Sequence, residues 1–438
     1  MLWTLFPLQV LVNVPYSKQP MSKFSHGFRA LKTRNYRLFW VGHTVSQIGS
    51  WMQMTAQGWL VLQLSNSAFE VGLVTALQFT PALILSLFGG ALADRVDRHR
   101  LLFITQAFAA LQALLFALLV SSESIQINHV FALAFFLGLI NAFDNPTRQS
   151  FVPGLVPRDD LPNAIAMNSL VINVARIIGP ALAGILIATI GMAFAFWLNF
   201  ISYLGIIVAL ALMDRSQMEI RLEQTKQSVL AGIKEVLVVL WQRPPVFLPL
   251  IIMGFFGTFG YNFNTFIPLI GGFVLKVQPI EYGGLTSSQG VGAVIGALAV
   301  GYMGKPSPVR LLLAGLGFAL VLAALSAFSL YWPVVGLFAL LGFGAVLLAA
   351  SCNTTIQLGV PDSLRGRAMS VYWMIFAGST PVGALFVGFT AKQFGVPFTL
   401  FACSLLCLLG LAAALGYWLR NRSAWNDWHL DRTSETVD

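Results

Sequence analysis

The sequence predicts an all-α integral membrane protein with twelve transmembrane helices in two pseudo-symmetric six-helix bundles. Three observations predict this fold: an apolar composition, apolar segments of membrane-spanning length, and basic residues confined to one side of those segments. Of the 438 residues, 57% are hydrophobic and 10% are charged, whereas soluble domains carry roughly 25% charged residues. A water-soluble fold has too little interior for such a composition.

The apolar segments are long enough to cross a bilayer as helices. About twenty residues, at a rise of about 1.5 Å each, span a hydrocarbon core of about 30 Å. Apolar periodicity, charged gaps and Gly/Pro breaks delimit twelve such spans: 37–64, 69–93, 101–121, 127–150, 163–189, 191–213, 245–272, 281–303, 308–328, 331–358, 365–391 and 396–420. A β-barrel is disfavoured, because its strands would appear as alternating segments of about ten residues.

The basic residues set the orientation. When the twelve spans are threaded from a cytoplasmic N-terminus, all 26 Lys and Arg residues except Lys276, Lys392 and Arg176 fall on the inner side. The positive-inside rule then predicts an inner (plasma) membrane protein with both termini in the cytoplasm. The net charge of +9 is therefore a topology signal, and no aromatic-interleaved basic patch indicates a nucleic-acid partner.

The predicted domains follow the spans. They are a cytoplasmic N-terminal segment (1–36), an N-terminal six-helix half (37–213), a cytoplasmic linker (214–244), a C-terminal six-helix half (245–420) and a cytoplasmic tail (421–438). The linker carries one apolar helical stripe from Val229 to Trp241, which would lie on the membrane surface or pack under the bundle. Either Met1 or Met21 is the start of the chain.

An internal repeat supports the two halves. The end of span 4 reads NPTRQSFVPGLV from Asn145, and the end of span 10 reads NTTIQLGVPDSL from Asn353. Three residue pairs share one offset: Asn145/Asn353, Gln149/Gln357 and Pro153/Pro361. Two repeated halves with a cavity at the membrane midplane are what an alternating-access carrier requires.

The loop between spans 2 and 3 carries the most specific motif. It reads GGALADRVDRHR from Gly89 to Arg100, and it resembles the signature loop of the major facilitator superfamily, with Asp97 and His99 departing from the pattern. With the entry to span 1 at Arg34–Arg37 and the Gly179-Pro180 stretch, residues 30–420 resemble the drug:proton antiporter branch that contains enterobactin exporters and macrolide efflux proteins.

That resemblance implies a gating latch in the signature loop. Asp94 would face the N-terminus of span 11, where the helix dipole favours an anion and Arg365 lies nearby. Arg98 would pair with Asp144 at the inner end of span 4. The alternative is that the arginines of this loop only enforce topology.

Asp144 and Arg148 lie four residues apart on one helical face. An acid inside a span is costly enough to need a partner, so Asp144 is either a structural ion-pair member or the carrier of the coupled proton. His43 titrates in the useful range and is a second proton-coupling candidate. The alternative for His43 is a packed, hydrogen-bonding side chain.

The predicted substrate cavity lies along polar helix faces, because lipid would leave their side chains unsatisfied. Interhelical hydrogen bonding is the alternative role for these residues. Arg176 is the one basic residue deep in a span, and its guanidinium suits an anionic substrate or a carboxylate partner. The cavity residues are Gln47, Ser50, Met54, Arg176 and Asn262.

Gly179, Pro180 and Gly184 resemble the Gly-Pro-x-x-Gly-Gly motif that marks antiporters, with Ala183 in place of the first closing glycine. Tight helix packing would use the same small residues.

The predicted function is secondary active transport, as a proton-driven exporter of small amphipathic molecules such as siderophores or drugs. No ATP-binding motif is present, no nucleophile and base set indicates an enzyme, and Cys352, Cys403 and Cys407 have no metal-site spacing. The predicted partners are a small-molecule substrate, the lipid bilayer and a proton gradient, without a cofactor. An importer or facilitator is the alternative within transport, a membrane sensor or assembly component is the alternative outside it, and the oligomeric state stays open.

Overall fold

A computed structural model describes residues 27–93, 96–218, 243–302, 304 and 307–422, and these residues form helices without any strand. The α-helices are α1 (Arg34–Ser65), α2 (Ala68–Ala93), α3 (Arg98–Ser121), α4 (Ile127–Phe151), α5 (Leu161–Thr189), α6 (Met192–Ala211), α7 (Pro244–Phe255), α8 (Phe263–Leu269), α9 (Pro279–Tyr302), α10 (Pro308–Leu325), α11 (Tyr331–Gly359), α12 (Asp362–Gly378), α13 (Thr380–Phe394) and α14 (Val396–Arg420). Short 3-10 helices are at Arg29–Lys32, Val152–Gly154, Arg158–Asp160 and Arg215–Gln217, and π-helical turns are at Phe256–Gly260 and Ile270–Val274.

Eleven segments of the described residues are long and apolar enough to cross a membrane. Two of them combine several elements: Pro244–Val274 holds α7, α8 and both π-helical turns, and Leu364–Phe394 holds most of α12 together with α13. The remaining helix, α1, has 32 residues, about 48 Å of helix, but polar side chains at almost every turn make it less apolar. It packs against α5 and α6. The all-helical membrane fold is therefore confirmed.

The chain divides into two compact units. Among the described residues, the first unit holds α1 to α6 and Lys276–Gly290, while the second holds α7, α8, the rest of α9 and α10 to α14. The predicted domain boundaries stay a prediction.

Close backbone contacts hold the first unit together. A Cβ on Gly138 of α4 would lie 2.3 Å from the Gln78 carbonyl oxygen of α2, and one on Gly89 of α2 would lie 2.1 Å from the Ala142 carbonyl oxygen of α4. Without side chains at these two positions, α2 and α4 approach backbone to backbone. This fixes α4, which carries Asp144 and Arg148.

In the second unit, the seventh span differs from its prediction. The sequence predicts one continuous helix over 245–272, whereas the structure has a π-helical turn at Phe256–Gly260 and a break at Tyr261 and Asn262 before α8 begins. Gly383 of α13 packs against this turn, because its Cβ would lie 1.8 Å from the Thr258 carbonyl oxygen.

Several predictions lie outside the described residues. These are the latch aspartate Asp94, the start of the chain, the linker stripe from Val229 to Trp241 and most of the C-terminal tail.

Candidate substrate cavity and buried charge network

Asp144 is the centre of a buried polar network in the first unit. Its side chain is only 4% exposed. Oδ1 accepts hydrogen bonds from Thr105 Oγ1 at 2.7 Å and Gln106 Nε2 at 2.6 Å, and Oδ2 accepts from Arg148 Nε at 3.1 Å and from Arg148 Nη2. Four donors on two oxygens are the arrangement of an ionised carboxylate, since a protonated oxygen would itself have to donate.

The pairing predicted between Arg98 and Asp144 stays a prediction, and the structure shows other contacts for both residues. The cation bonded to Asp144 is Arg148, one helical turn away on α4, while Arg98 Nη1 donates to the Ser150 carbonyl oxygen at 3.2 Å. The i, i+4 spacing brings Arg148 to the carboxylate without crossing between helices. Arg365, in the second unit, donates through Nε to the Gln357 carbonyl oxygen at 3.2 Å. The latch role of these arginines stays a prediction.

His43 is joined to this network through Arg148. Its side chain is buried and stacks on Phe39 with ring centroids 5.2 Å apart. Nδ1 contacts Arg148 Nη1. Because a guanidinium can only donate, Nδ1 accepts and the ring is neutral with its hydrogen on Nε2. That Nε2 is buried without a hydrogen bond, as is Oδ1 of Asn168.

A cleft opens above the network within the first unit. Its cavity volume is about 60 Å³, and it is partly open to solvent. The side chains that line it are mostly polar: Ser46, Gln47, Ser50, Trp51, Gln53, Met54, Gln57, Gln78, Gln106, Asn141, Asp144, Asn145, Arg148 and Tyr203, with Ala109, Leu137 and Ile140. Three predicted cavity residues, Gln47, Ser50 and Met54, are therefore in one cleft with the buried ion pair.

Many amides of the cleft are already paired with each other. Gln53 donates to Gln112 and accepts from Asn199, both at 2.8 Å, and Gln57 donates to Gln78 at 3.1 Å. These pairs join α1 to α2, α3 and α6, and they hold the wall of the cleft rigid.

Three amides are different, and two were missed in the sequence. Within the described residues, no hydrogen bond to protein engages the side chains of Gln47, Asn141 or Asn145, which are half-buried in the cleft. Asn141 and Asn145 lie one turn apart on α4, each three residues before Asp144 or Arg148. This shared spacing could have identified both asparagines in the sequence, because it places their amides on the face of α4 that meets the cleft.

Arg176 lies beside the cleft and does not line it. It is 5% exposed on α5, its guanidinium carbon lies 5.1 Å from the ring centre of Trp51, and its Nε is buried without a hydrogen bond. Trp51 does line the cleft. Arg176 therefore stands behind the Trp51 side of this cleft, and its predicted role in the substrate cavity stays a prediction.

The antiporter-like stretch of α5 makes close contacts. A Cβ on Gly179 would lie 2.6 Å from Trp51 Cβ, and one on Gly184 would lie 2.7 Å from the Pro279 carbonyl oxygen. Likewise, a Cβ on Gly283 would lie 2.5 Å from the Pro180 carbonyl oxygen. Close packing is therefore one role of this stretch, and an antiporter role stays a prediction.

Asn262 belongs to the second unit, at the break in the seventh span. Its Nδ2 donates to the Thr258 carbonyl oxygen at 2.7 Å, and its Oδ1 is buried without a hydrogen bond. A discontinuous helix frees backbone and side-chain acceptors that substrates use in transporters. The sequence predicted the residue but not the break.

Comparison with known proteins assigns this architecture. The sequence model of the family described as transmembrane secretion effector, a family of the major facilitator superfamily, matches residues 25–437. The chain is 25% identical to the staphyloferrin A transporter of Staphylococcus aureus (strain NCTC 8325 / PS 47), over 82% of this chain and 91% of the relative. It is 28% identical to the multidrug efflux pump Tap of Mycolicibacterium fortuitum, over 83% of this chain and 91% of the relative.

Among solved structures, a bacterial homologue of the human lysosomal transporter Spinster, inward-facing and unoccupied, matches with a TM-score of 0.67 at 14% identity, over 93% of this chain and 99% of that chain. This likeness supports the fold alone. The curated relatives are named as transporters, so the alternative of a sensor or assembly component is set aside, and the predicted resemblance is confirmed. The chain belongs to the transmembrane secretion effector family of the major facilitator superfamily and is a multi-pass membrane transporter.

Proposed function

We propose that this transporter is a secondary active exporter of small amphipathic molecules, driven by proton antiport, in the inner membrane with both termini in the cytoplasm. Siderophores and drugs are the leading substrate classes. The observation that carries the proposal is one cleft in which unpaired amides stand directly beside a buried Asp–Arg–His network. Arg148 lines this cleft and also bonds Asp144 and His43, so one side chain connects the substrate contacts to the groups that could bind a proton.

The chemistry of the cleft supports a hydrogen-bonding substrate. Gln47, Asn141 and Asn145 each offer a carbonyl acceptor and an amide donor, and Trp51 and Met54 offer apolar surface. The charges of Asp144 and Arg148 compensate each other. A substrate with several oxygens or nitrogens and an apolar body matches the chemistry of this lining, and two relatives are named for a siderophore and for multiple drugs.

Proton coupling follows from how Arg148 is shared. A proton on His43 Nδ1 would turn the acceptor for Arg148 into a donor and place two cations face to face. Two like unit charges about 4 Å apart repel each other by about 4 kcal/mol at an effective dielectric constant near 20. A proton on Asp144 would instead neutralise the carboxylate that holds Arg148. It would also occupy one of the four acceptor positions of that carboxylate. Either protonation moves the guanidinium at the cleft wall.

The test is transport in energised inverted membrane vesicles, with and without a pH gradient. Accumulation of a carboxylate-bearing siderophore or a cationic dye should require an acidic vesicle interior. Asp144→Asn should abolish gradient-driven accumulation and retain exchange of substrate across the membrane at equal pH. Asp159→Asn, an acid-to-amide change at an exposed position of a 3-10 helix, is the matched control and should behave as wild type.

Two outcomes would contradict the proposal. Accumulation in the unmodified protein that ignores the pH gradient would remove proton coupling. Gradient-driven accumulation in right-side-out vesicles, but not in inverted ones, would identify an importer instead.

A further inference from the structure

A second groove lies at the ends of α3 and α6, away from the substrate cleft. His99, Arg100, Phe103, Ile104 and Arg215 line it, together with Ala211 and Met213. It has a cavity volume of about 470 Å³, within the range of roughly 300–1,000 Å³ typical of small-molecule sites. All of its lining residues belong to the first unit.

Two arginines at this groove share a single carboxylate. Arg100 Nε lies 3.6 Å and Arg215 Nη1 lies 3.8 Å from Asp97 Oδ2, and the arginine side chains are 72% and 50% exposed. The other Asp97 oxygen caps α3, accepting from the backbone amides of His99 and Arg100 at 2.9 and 3.4 Å. Among the residues that the structure describes, one carboxylate at such distances leaves an excess of positive charge and open guanidinium donors.

His99 holds Arg215 in place. Arg215 Nη2 lies 2.9 Å from His99 Nδ1, and His99 Nε2 lies 2.8 Å from the Leu210 carbonyl oxygen. Because the guanidinium donates to Nδ1, the ring is neutral and Nε2 donates to Leu210. The ring is buried and bridges α3 to α6, so the cationic end of the groove is positioned by the fold.

The groove continues into a lipid-facing surface. Two of its apolar lining residues, Phe103 and Ile104, are 37% and 49% exposed. Four further residues at helical spacing extend the same face of α3. These are Phe108, Leu111, Leu115 and Leu118, each between 38% and 48% exposed. In a membrane span such a stripe contacts acyl chains, so cationic and apolar surfaces meet at one helix end.

We propose that this groove binds an anionic phospholipid. The phosphate bonds Arg100 and Arg215, whose planar forks match phosphate oxygens, and an acyl chain lies along Phe103, Ile104 and the stripe of α3. Basic pockets between helix ends are suited to such headgroups. Bound lipid would clamp α3 to α6 beside the signature loop, a role separate from substrate transport.

The test measures the thermal midpoint of the purified full-length protein in detergent during titration with phosphatidylglycerol. Phosphatidylglycerol should raise the midpoint, whereas phosphatidylcholine, inorganic phosphate and glycerol phosphate should not. The double variant Arg100→Gln/Arg215→Gln should require roughly 25-fold more lipid for half the effect, a factor of about five for each basic residue. Arg158→Gln, at another exposed arginine, should match wild type.

Arg100→Gln alone is the second variant, because it leaves the Arg215–His99 contact in place, and it should require roughly fivefold more lipid. An equal shift with phosphatidylcholine, an equal shift with free phosphate, or an unchanged response in both variants would overturn the proposal. So would the absence of any lipid response in the wild type, since the groove would then be empty or filled by protein.

Discussion

Arg176 carries a full charge and is buried, and no acidic side chain in the described part of the chain forms an ion pair with it. Its guanidinium stacks on Trp51 and its Nε makes no hydrogen bond. A cation–π contact contributes about 2 kcal/mol or more when desolvated, which offsets only part of the cost of a charge inside a span. The remaining cost is a reason to expect an anion near Arg176 and Trp51 during transport.

We expect Arg176→Lys to weaken the apparent affinity for anionic substrates several-fold with little change for cationic dyes. Lysine keeps the charge but loses the planar fork that stacks on the indole. Competition with a transported dye in vesicles measures both affinities, and Arg158→Lys is the matched control. An equal loss for both ligand classes, or a lower thermal midpoint, would show that Arg176 is structural.

Residue spacing along one helix was predictable, and contacts between helices were not. The three- and four-residue steps of α1 placed Gln47, Ser50 and Met54 on the face that lines the cleft. The shell of Thr105 and Gln106 around Asp144 depends on how α3 packs against α4. No sequence pattern records that packing.

At the scale of elements, the seventh span shows why a helix prediction fails locally. Gly254, Gly257 and Gly260 recur at three-residue spacing, which fits a packing face as well as a break. The π-helical turn forms where Gly383 of α13 meets the Thr258 carbonyl oxygen. This contact comes from a helix more than a hundred residues away, so hydropathy alone predicts an unbroken span.

Gly383→Ala should therefore destabilise the second unit. The added Cβ would lie 1.8 Å from the Thr258 carbonyl oxygen and 2.8 Å from Asn262 Nδ2, so α13 or the broken span must shift, at a cost of about 1–3 kcal/mol. The thermal midpoint in a fixed detergent should fall. Gly317→Ala is the matched control, because nothing lies within 4 Å of its Cβ and alanine favours a helix interior. Equal midpoints for the two variants would contradict this account.

At the scale of the whole molecule, length and charge carried most of the predictive information. Apolar length finds eleven of the spans in the structure. It underestimates α1, because a helix that lines a polar cleft buries its amides against protein and loses hydropathy. The charge pattern predicts an even number of spans, because only an even number keeps almost all Lys and Arg on one side.

The same charge pattern makes the orientation testable. Asn66, Glu123 and Gln278 are exposed at connections expected outside, and Arg158 and Arg422 are exposed at positions expected inside. Single cysteines at these five positions, on a background lacking the three buried native cysteines, should divide into two groups. In intact cells an impermeant maleimide should label the first three, and it should label the last two only after permeabilisation. Labelling of Arg158→Cys or Arg422→Cys in intact cells would reverse the orientation and, with it, the direction in which an acidic exterior can drive export.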